Sequence, residues 1–139
     1  MRIAVARETR PHETRVAAVP ETVKKFIKLG AEVAVQSGAG DAANIPDSAF
    51  EDAGASIGAD LAGTVKGAEV ILKILPPTAE EIAAFEKGQK VFSIMWPYAE
   101  PEAMKACAEN GVDAFAMELM PRITRAQSMD VLSSQSNLA

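Results

Sequence analysis

An open, mostly parallel, doubly wound α/β sheet of about five strands with flanking helices is the fold the sequence predicts. Three observations predict it. Short β-rich runs alternate with helix-length amphipathic segments, as a parallel sheet with crossover helices requires. Gly and Pro fall between those segments more than within them. The composition, 48% hydrophobic and only 5% aromatic, supplies a core of Ala, Val, Ile, Leu and Met, and 139 residues suit one domain.

The elements follow in order. Arg2 to Ala6 reads as the first strand. After an Arg-rich loop, Pro20 fits the first turn of a helix whose Val23, Phe26 and Ile27 share a face, with Gly30 as its cap. Ala31 to Gln36 is the next strand, and Gly38 to Asn44 a small-residue loop. Pro46 and Asp47 open a short helix ending near Gly54, and Ile57 to Gly67 is at best weakly helical. Glu69 to Lys73 is a strand stopped by Pro76 and Pro77. Thr78 to Glu81 has the capping-box pattern, opening a helix to about Lys87. Lys90 to Ile94 is a strand, Pro101 to Asn110 a helix closed by Gly111, and Val112 to Ala116 the last strand. A polar loop then leads into a Ser-rich helix around Met129 and Leu132 that reaches Ala139 without a Gly or Pro stop, as at a fragment boundary. The whole reads as a flavodoxin- or Rossmann-like sheet.

Composition excludes several function classes. With 14 Lys+Arg against 19 Asp+Glu the net charge is −5, the opposite of the basic footprint that nucleic-acid binding needs. One cysteine, Cys107, makes no internal disulfide, and one histidine, His12, leaves no cluster with metal-ligand spacing. The longest uncharged stretches, Val91–Ala99 and Val131–Ala139, are nine residues, well short of the roughly 20 a membrane-spanning helix needs. The first residues enter a strand with no signal-peptide organisation. A cytoplasmic chain without direct membrane insertion is the expectation.

All six arginines lie in two windows, Arg2 to Arg15 and Arg122 to Arg125. Guanidinium suits phosphate and carboxylate, although two solvated loops would have the same composition. Topology favours a ligand role. Ligands of open parallel sheets bind beyond the carboxyl ends of the strands, and Arg15, Lys73, Trp96 and Arg122 all lie in segments that follow such ends. Gly38 to Ala43 has the form G-x-G-x-x-A, but Asn44 and Pro46 interrupt the helix that must follow a phosphate cradle, and the loop follows the second strand instead of the first. A turn where backbone approaches backbone is the better reading. His12 reads as an exposed loop residue, Cys107 as a buried inert thiol, and Trp96 as a cover for the sheet edge. No Ser-His-Asp order, nucleophile elbow or acidic phosphoacceptor pocket is present.

The last segment, Met117-Glu-Leu-Met-Pro-Arg-Ile-Thr-Arg-Ala-Gln-Ser-Met-Asp-Val-Leu-Ser-Ser-Gln-Ser-Asn-Leu-Ala139, closely resembles the signature of the α subunit of proton-translocating NAD(P) transhydrogenases. Arg2 to Thr9 and Glu13 to Pro20 resemble the opening that transhydrogenases share with alanine dehydrogenases, as do Leu29 to Val33, Ser37 to Gly40, Ile71 to Lys73 and Met95 to Pro97. The resemblance covers essentially the whole chain. It implies that residues 1–139 are the N-terminal subdomain of the NAD(H)-binding component, with a partner Rossmann domain carrying the glycine-rich loop. It also implies that Arg122, Gln127 and Asp130, with Ser133, contact the nicotinamide end of NAD(H). NADP(H) would sit on a partner domain, with proton translocation in membrane domains, no metal, a homodimer, and attachment to the inner membrane only through those partners. Direct hydride transfer between nicotinamides needs orientation more than a general acid.

In the alanine dehydrogenases, residues matching Arg15 and Lys73 bind a keto acid, and a histidine after the strand matching Lys90 to Ile94 assists proton transfer. Here Met95 and Trp96 occupy that region, and no histidine follows His12. Arg15 and Lys73 stay open between a structural role and cleft charge. A non-catalytic dimerisation or binding module is the third reading. Without a pyrophosphate loop, the isolated chain is expected to bind NADH weakly or not at all. Titrating NADH against the fluorescence of Trp96, the single tryptophan, checks this, and saturation at low micromolar concentration would contradict it.

Overall fold

The computed structural model describes residues 1–136. Six parallel strands, β1 (Arg2–Val5), β2 (Glu32–Gln36), β3 (Ser56–Gly58), β4 (Val70–Leu72), β5 (Lys90–Ser93) and β6 (Asp113–Ala116), form one sheet in the order β3-β2-β1-β4-β5-β6. This is the strand order of dinucleotide-binding sheets, with the reversal of winding between β1 and β4. The crossovers carry α1 (Pro20–Lys28), α2 (Asp47–Asp52), α3 (Leu61–Val65), α4 (Ala79–Ala83) and α5 (Pro101–Asn110), and α6 (Val131–Ser136) follows β6.

The strand alternation sorts side chains into two cores. Ala4, Ala6, Ile71 and Val91 pack against Val65 of α3, Ile82 of α4, and Ala103 and Cys107 of α5. Val5, Val33 and Val35 pack on the opposite face against Val23 of α1 and Phe50 of α2. Right-handed crossovers explain the division, because the chain winds one way from β1 to β3 and the other from β4 to β6. The second core therefore thins toward β6. Val5, Leu72, Phe92 and Phe115 stand in one cross-strand row. Its outer pair, Phe92 and Phe115, stacks with centroids 4.4 Å apart, and Phe115 is left 42% exposed.

The predicted elements are present, with three differences. Residues 56–58 are a sixth strand where weak helix was expected, followed by the short α3. Three residues are too few to show a period-2 pattern, and the helix is opened by Asp60, whose carboxylate accepts the Gly63 amide at 2.7 Å. Helix α4 ends at Ala83 instead of Lys87 because Ala84 and Phe85 donate back to Glu81 and Ile82, tightening the chain into a turn before Gly88. Met129 belongs to a 3-10 stretch, Thr124–Met129, that precedes α6. The expected run of helix into Ala139 lies outside the described residues.

The Gly38 to Ala43 loop is the predicted turn. Gly38 has φ +73 and its amide donates to Asp47 at 2.9 Å. A single 3-10 turn, Asp41–Ala43, follows it and ends at Asn44 in the left-handed region, so no helix N-terminus faces the loop. A Cβ on Gly40 would lie 2.4 Å from the Ile45 carbonyl oxygen and 2.8 Å from the Phe50 ring. Gly40→Ala is therefore expected to destabilise the chain by about 1–3 kcal/mol, measured as a lower urea midpoint at unchanged slope. An unchanged midpoint would show that the loop yields without cost.

Candidate functional site

The carboxyl ends of β1, β4, β5 and β6 open on the same edge, and the first residue beyond β4 is Lys73. Its side chain is 1% exposed. Nζ donates to Glu81 Oε1 at 3.0 Å and to the Arg7 carbonyl at 3.4 Å, and lies 3.7 Å from Glu8 Oε2. Glu81 is held on three sides. It accepts the Thr78 amide as the acid of the capping box on α4, the Thr9 hydroxyl at 3.1 Å, and Lys73. Glu8 accepts the amides of Ile74 at 2.7 Å and Leu75 at 3.3 Å. The junction of β1 and β4, where such sheets bind ligands, is thus occupied by a buried lysine between two carboxylates. Burial pushes the Glu8 carboxyl above its ordinary range, with Lys73 and the two amides pulling the other way.

Arg15 lies beside this network. Its Nε donates to Glu13 at 2.8 Å and its Nη1 to Gln135 of α6 at 2.8 Å, and the guanidinium holds the Glu13 carboxyl below its ordinary range. Arg15 and Lys73 share a cavity of about 90 Å³ with Ser93, Ile94, Met117 and Val131.

A separate cavity of about 360 Å³ is lined by Pro121, Arg122, Ala126, Gln127, Asp130 and Ser133. The four residues singled out in the sequence for nicotinamide contact therefore come together. Arg122 and Gln127 are exposed. Asp130 also works as the cap of α6: Oδ1 accepts the amides of Leu132 at 3.0 Å and Ser133 at 3.2 Å, and Oδ2 accepts the Ser133 hydroxyl at 2.7 Å. Those bonds, the Ser133 hydroxyl first, hold its carboxyl below the ordinary range.

Trp96 turns to a third neighbourhood. Its φ of +44 lies in the left-handed region, its ring is 40% exposed, and the Arg10 guanidinium sits 5.8 Å from the ring centroid. Arg10 also pairs with both oxygens of Glu100. The expected convergence on one edge is therefore divided: Arg15 and Lys73 share one cavity, Arg122 lines another, and Trp96 pairs with Arg10. The arginine windows are also less positive than the sequence suggests, since Arg10 and Arg15 are each matched by a glutamate.

Sequence reasoning missed Glu8, Glu81 as a lysine partner, and Glu118, whose carboxylate accepts the amides of Met95 and Trp96. For Asp130 a local signal existed, since Asp-x-x-Ser ahead of a helix is a cap pattern. Cys107 is buried, with its thiol pushed up by burial, and His12 is exposed with φ +68. Among the described residues no helix is long and apolar enough to cross a membrane, and no three metal-ligating side chains lie together.

Residues 4–139 match the family described as alanine dehydrogenase/PNT, N-terminal domain. The chain is 46% identical over its whole length to the first polypeptide of the divided NAD(P) transhydrogenase subunit alpha of Rhodospirillum rubrum, of which it spans 38%. It is 35% identical to the alanine dehydrogenase of Bacillus subtilis, of which it spans 36%. The crystal structure of transhydrogenase from Sinorhizobium meliloti superposes with a TM-score of 0.94 at 51% identity, covering 99% of this chain and 41% of that one. The chain thus spans well under half the length of these relatives.

The raised Glu8 carboxyl makes stability depend on pH with a definite sign. An acid raised in the folded state contributes stability that is fully present below its unfolded pKa and is lost as pH rises through the folded one. Glu8→Gln removes that loss. The difference in unfolding free energy between Glu8→Gln and the natural chain should shift in favour of the variant from about pH 4 to about pH 7. A shift against the variant would mean that attraction to Lys73 outweighs burial.

Proposed function

The chain belongs to the alanine dehydrogenase/PNT N-terminal domain family, and from that premise we propose that it is the N-terminal portion of the NAD(H)-binding component of an NAD(P) transhydrogenase. Its own task is to orient the nicotinamide end of the cofactor. The observation that carries this reading is the gathering of Arg122, Gln127, Asp130 and Ser133 around one cavity. A guanidinium, a primary amide, a carboxylate and a hydroxyl are the donors and acceptors that a carboxamide and a ribose call for, and about 360 Å³ lies in the size range of small-molecule sites. The Gly38 to Ala43 loop does not suit the pyrophosphate, because no helix faces it and the Gly40 backbone is packed against Ile45. The rest of the cofactor therefore falls to a Rossmann domain outside this chain.

Bound NADH supplies a hydride. The demands left to the chain are to hold the ring in line with its acceptor and to keep water out, and no side chain of the cavity has to deliver a proton. The incompletely covered face under Phe92 and Phe115, together with the small share of each relative that the chain spans, supports packing of the remaining protein against this end of the sheet. In the assembled enzyme the component is a dimer on the cytoplasmic side, tied to the inner membrane by membrane domains that carry the proton, with NADP(H) on another domain.

The second reading, an alanine dehydrogenase, is favoured by Arg15 and Lys73 lining one cavity. Against it stand Ser93, Ile94, Met95 and Trp96 where that chemistry calls for a histidine. NADH oxidation dependent on pyruvate and ammonium would support it.

Asp130→Asn makes a discriminating test, because Asn caps helices as well as Asp does and removes the charge while leaving α6 supported. In the complete enzyme, Asp130→Asn and Arg122→Ala should each lower hydride transfer by about 10- to 100-fold with little change in Tm. Loss of rate only in step with loss of thermal stability would contradict an orienting role.

A further inference from the structure

The segment that carries Arg122, Gln127 and Asp130 has little backbone support. Among the described residues, the turn and loop hydrogen bonds it makes reach no farther than three positions along the chain: Met120 to Met117, Ile123 to Pro121 and Ala126 to Ile123. Apart from buried Ala126, residues 121–129 are exposed. Something must fix this segment to the sheet if its side chains are to face a cofactor at a set angle.

Glu118 is placed to do so. Strands β5 and β6 run in register to Ser93 opposite Ala116, and two residues beyond that last pair the ladder is replaced by a side chain. Glu118 Oε1 accepts the Trp96 amide at 2.6 Å and the Met95 amide at 3.1 Å, and Oε2 accepts the Met95 amide at 3.1 Å. Successive amides that converge on one anion form a nest, and the positive φ of Trp96 belongs to that geometry. A bulky residue held in the left-handed region costs free energy and persists only where its surroundings over-determine it. A carboxylate accepting two charge-assisted bonds supplies that determination. Each partner thus fixes the other: the carboxylate holds the β5–α5 turn in shape, and the turn holds the start of the 119–130 segment against the end of β5.

We propose that Glu118 is a positioning residue for the reaction, anchoring the 119–130 segment to the carboxyl edge of the sheet and so setting the direction in which Arg122, Gln127 and Asp130 face the nicotinamide. The inference rests on the transhydrogenase reading for its kinetic consequence, but the clamp itself does not. Two measurements on the complete protein separate them. In hydrogen exchange, Glu118→Ala should accelerate exchange across residues 119–130 about tenfold or more, with peptides from β1 to β4 unchanged. In kinetics, Glu118→Ala should raise the KM for NADH several-fold. Glu118→Gln, which keeps an oxygen for both amides, should fall between the variant and the natural protein in both measurements.

Unchanged exchange in Glu118→Ala would overturn the clamp. Faster exchange with an unchanged KM, and a kcat that falls only with the folded fraction, would reduce Glu118 to a structural role and overturn its share in positioning. A natural protein that moves no hydride between nicotinamides would refute the transhydrogenase reading, and the exchange result would then decide the clamp by itself.

Discussion

A lysine buried between two carboxylates sets the geometry of the carboxyl edge. Lys73 sits where β4 leaves the sheet, and its bond to Glu81 and proximity to Glu8 tie together the loop after β1, the end of β4 and the first turn of α4. Removing one partner of a buried ion pair typically costs about 3–5 kcal/mol, because the remaining charge is left uncompensated. Here the penalty would reach beyond charge. Glu81 also closes the capping box of α4, and Glu8 binds the amides of Ile74 and Leu75, so the same two side chains shape the backbone around the lysine. The crevice between β1 and β4, open in many sheets of this topology, is filled by this network, and the larger polar cavity lies beyond it at the end of β6.

That displacement accounts for the division of labour. The chain offers no pyrophosphate cradle, its Arg10 and Arg15 are paired with Glu100 and Glu13, and its main polar cavity belongs to the segment after β6. What it presents is a short set of donors and acceptors on a weakly bonded loop, held to the sheet at one end by Glu118 and braced beyond α6 by the Arg15 bond to Gln135. A loop of this kind can be precise when it is pinned at both ends and closed against a partner. The exposed side of Phe115 and the small fraction of each relative spanned by the chain are consistent with half a site that is completed by further protein.

The fold was legible where local chemistry wrote it. Helix α5 could be bounded to the residue because Pro101 fits the first turn and Gly111 takes a left-handed φ of +67. The capping box at Thr78 and Glu81 was legible for the same reason. Strand β3 was not, since Ser56–Gly58 gains its identity only by pairing with β2. The site divides similarly. Arg122, Gln127, Asp130 and Ser133 stood out through family resemblance, whereas Glu8 and Glu118 act on amides 66 and 22 residues away, and no local pattern records such a contact.

The central claim is that the 122–133 segment orients a nicotinamide for direct hydride transfer. The most direct test uses the complete protein and NADH carrying deuterium at the transferred position, with an oxidised nicotinamide acceptor in ordinary water. The account predicts full retention of the label in the reduced acceptor. Loss of the label to solvent, or NADH oxidation that proceeds only with a 2-oxo acid and ammonium, would contradict it.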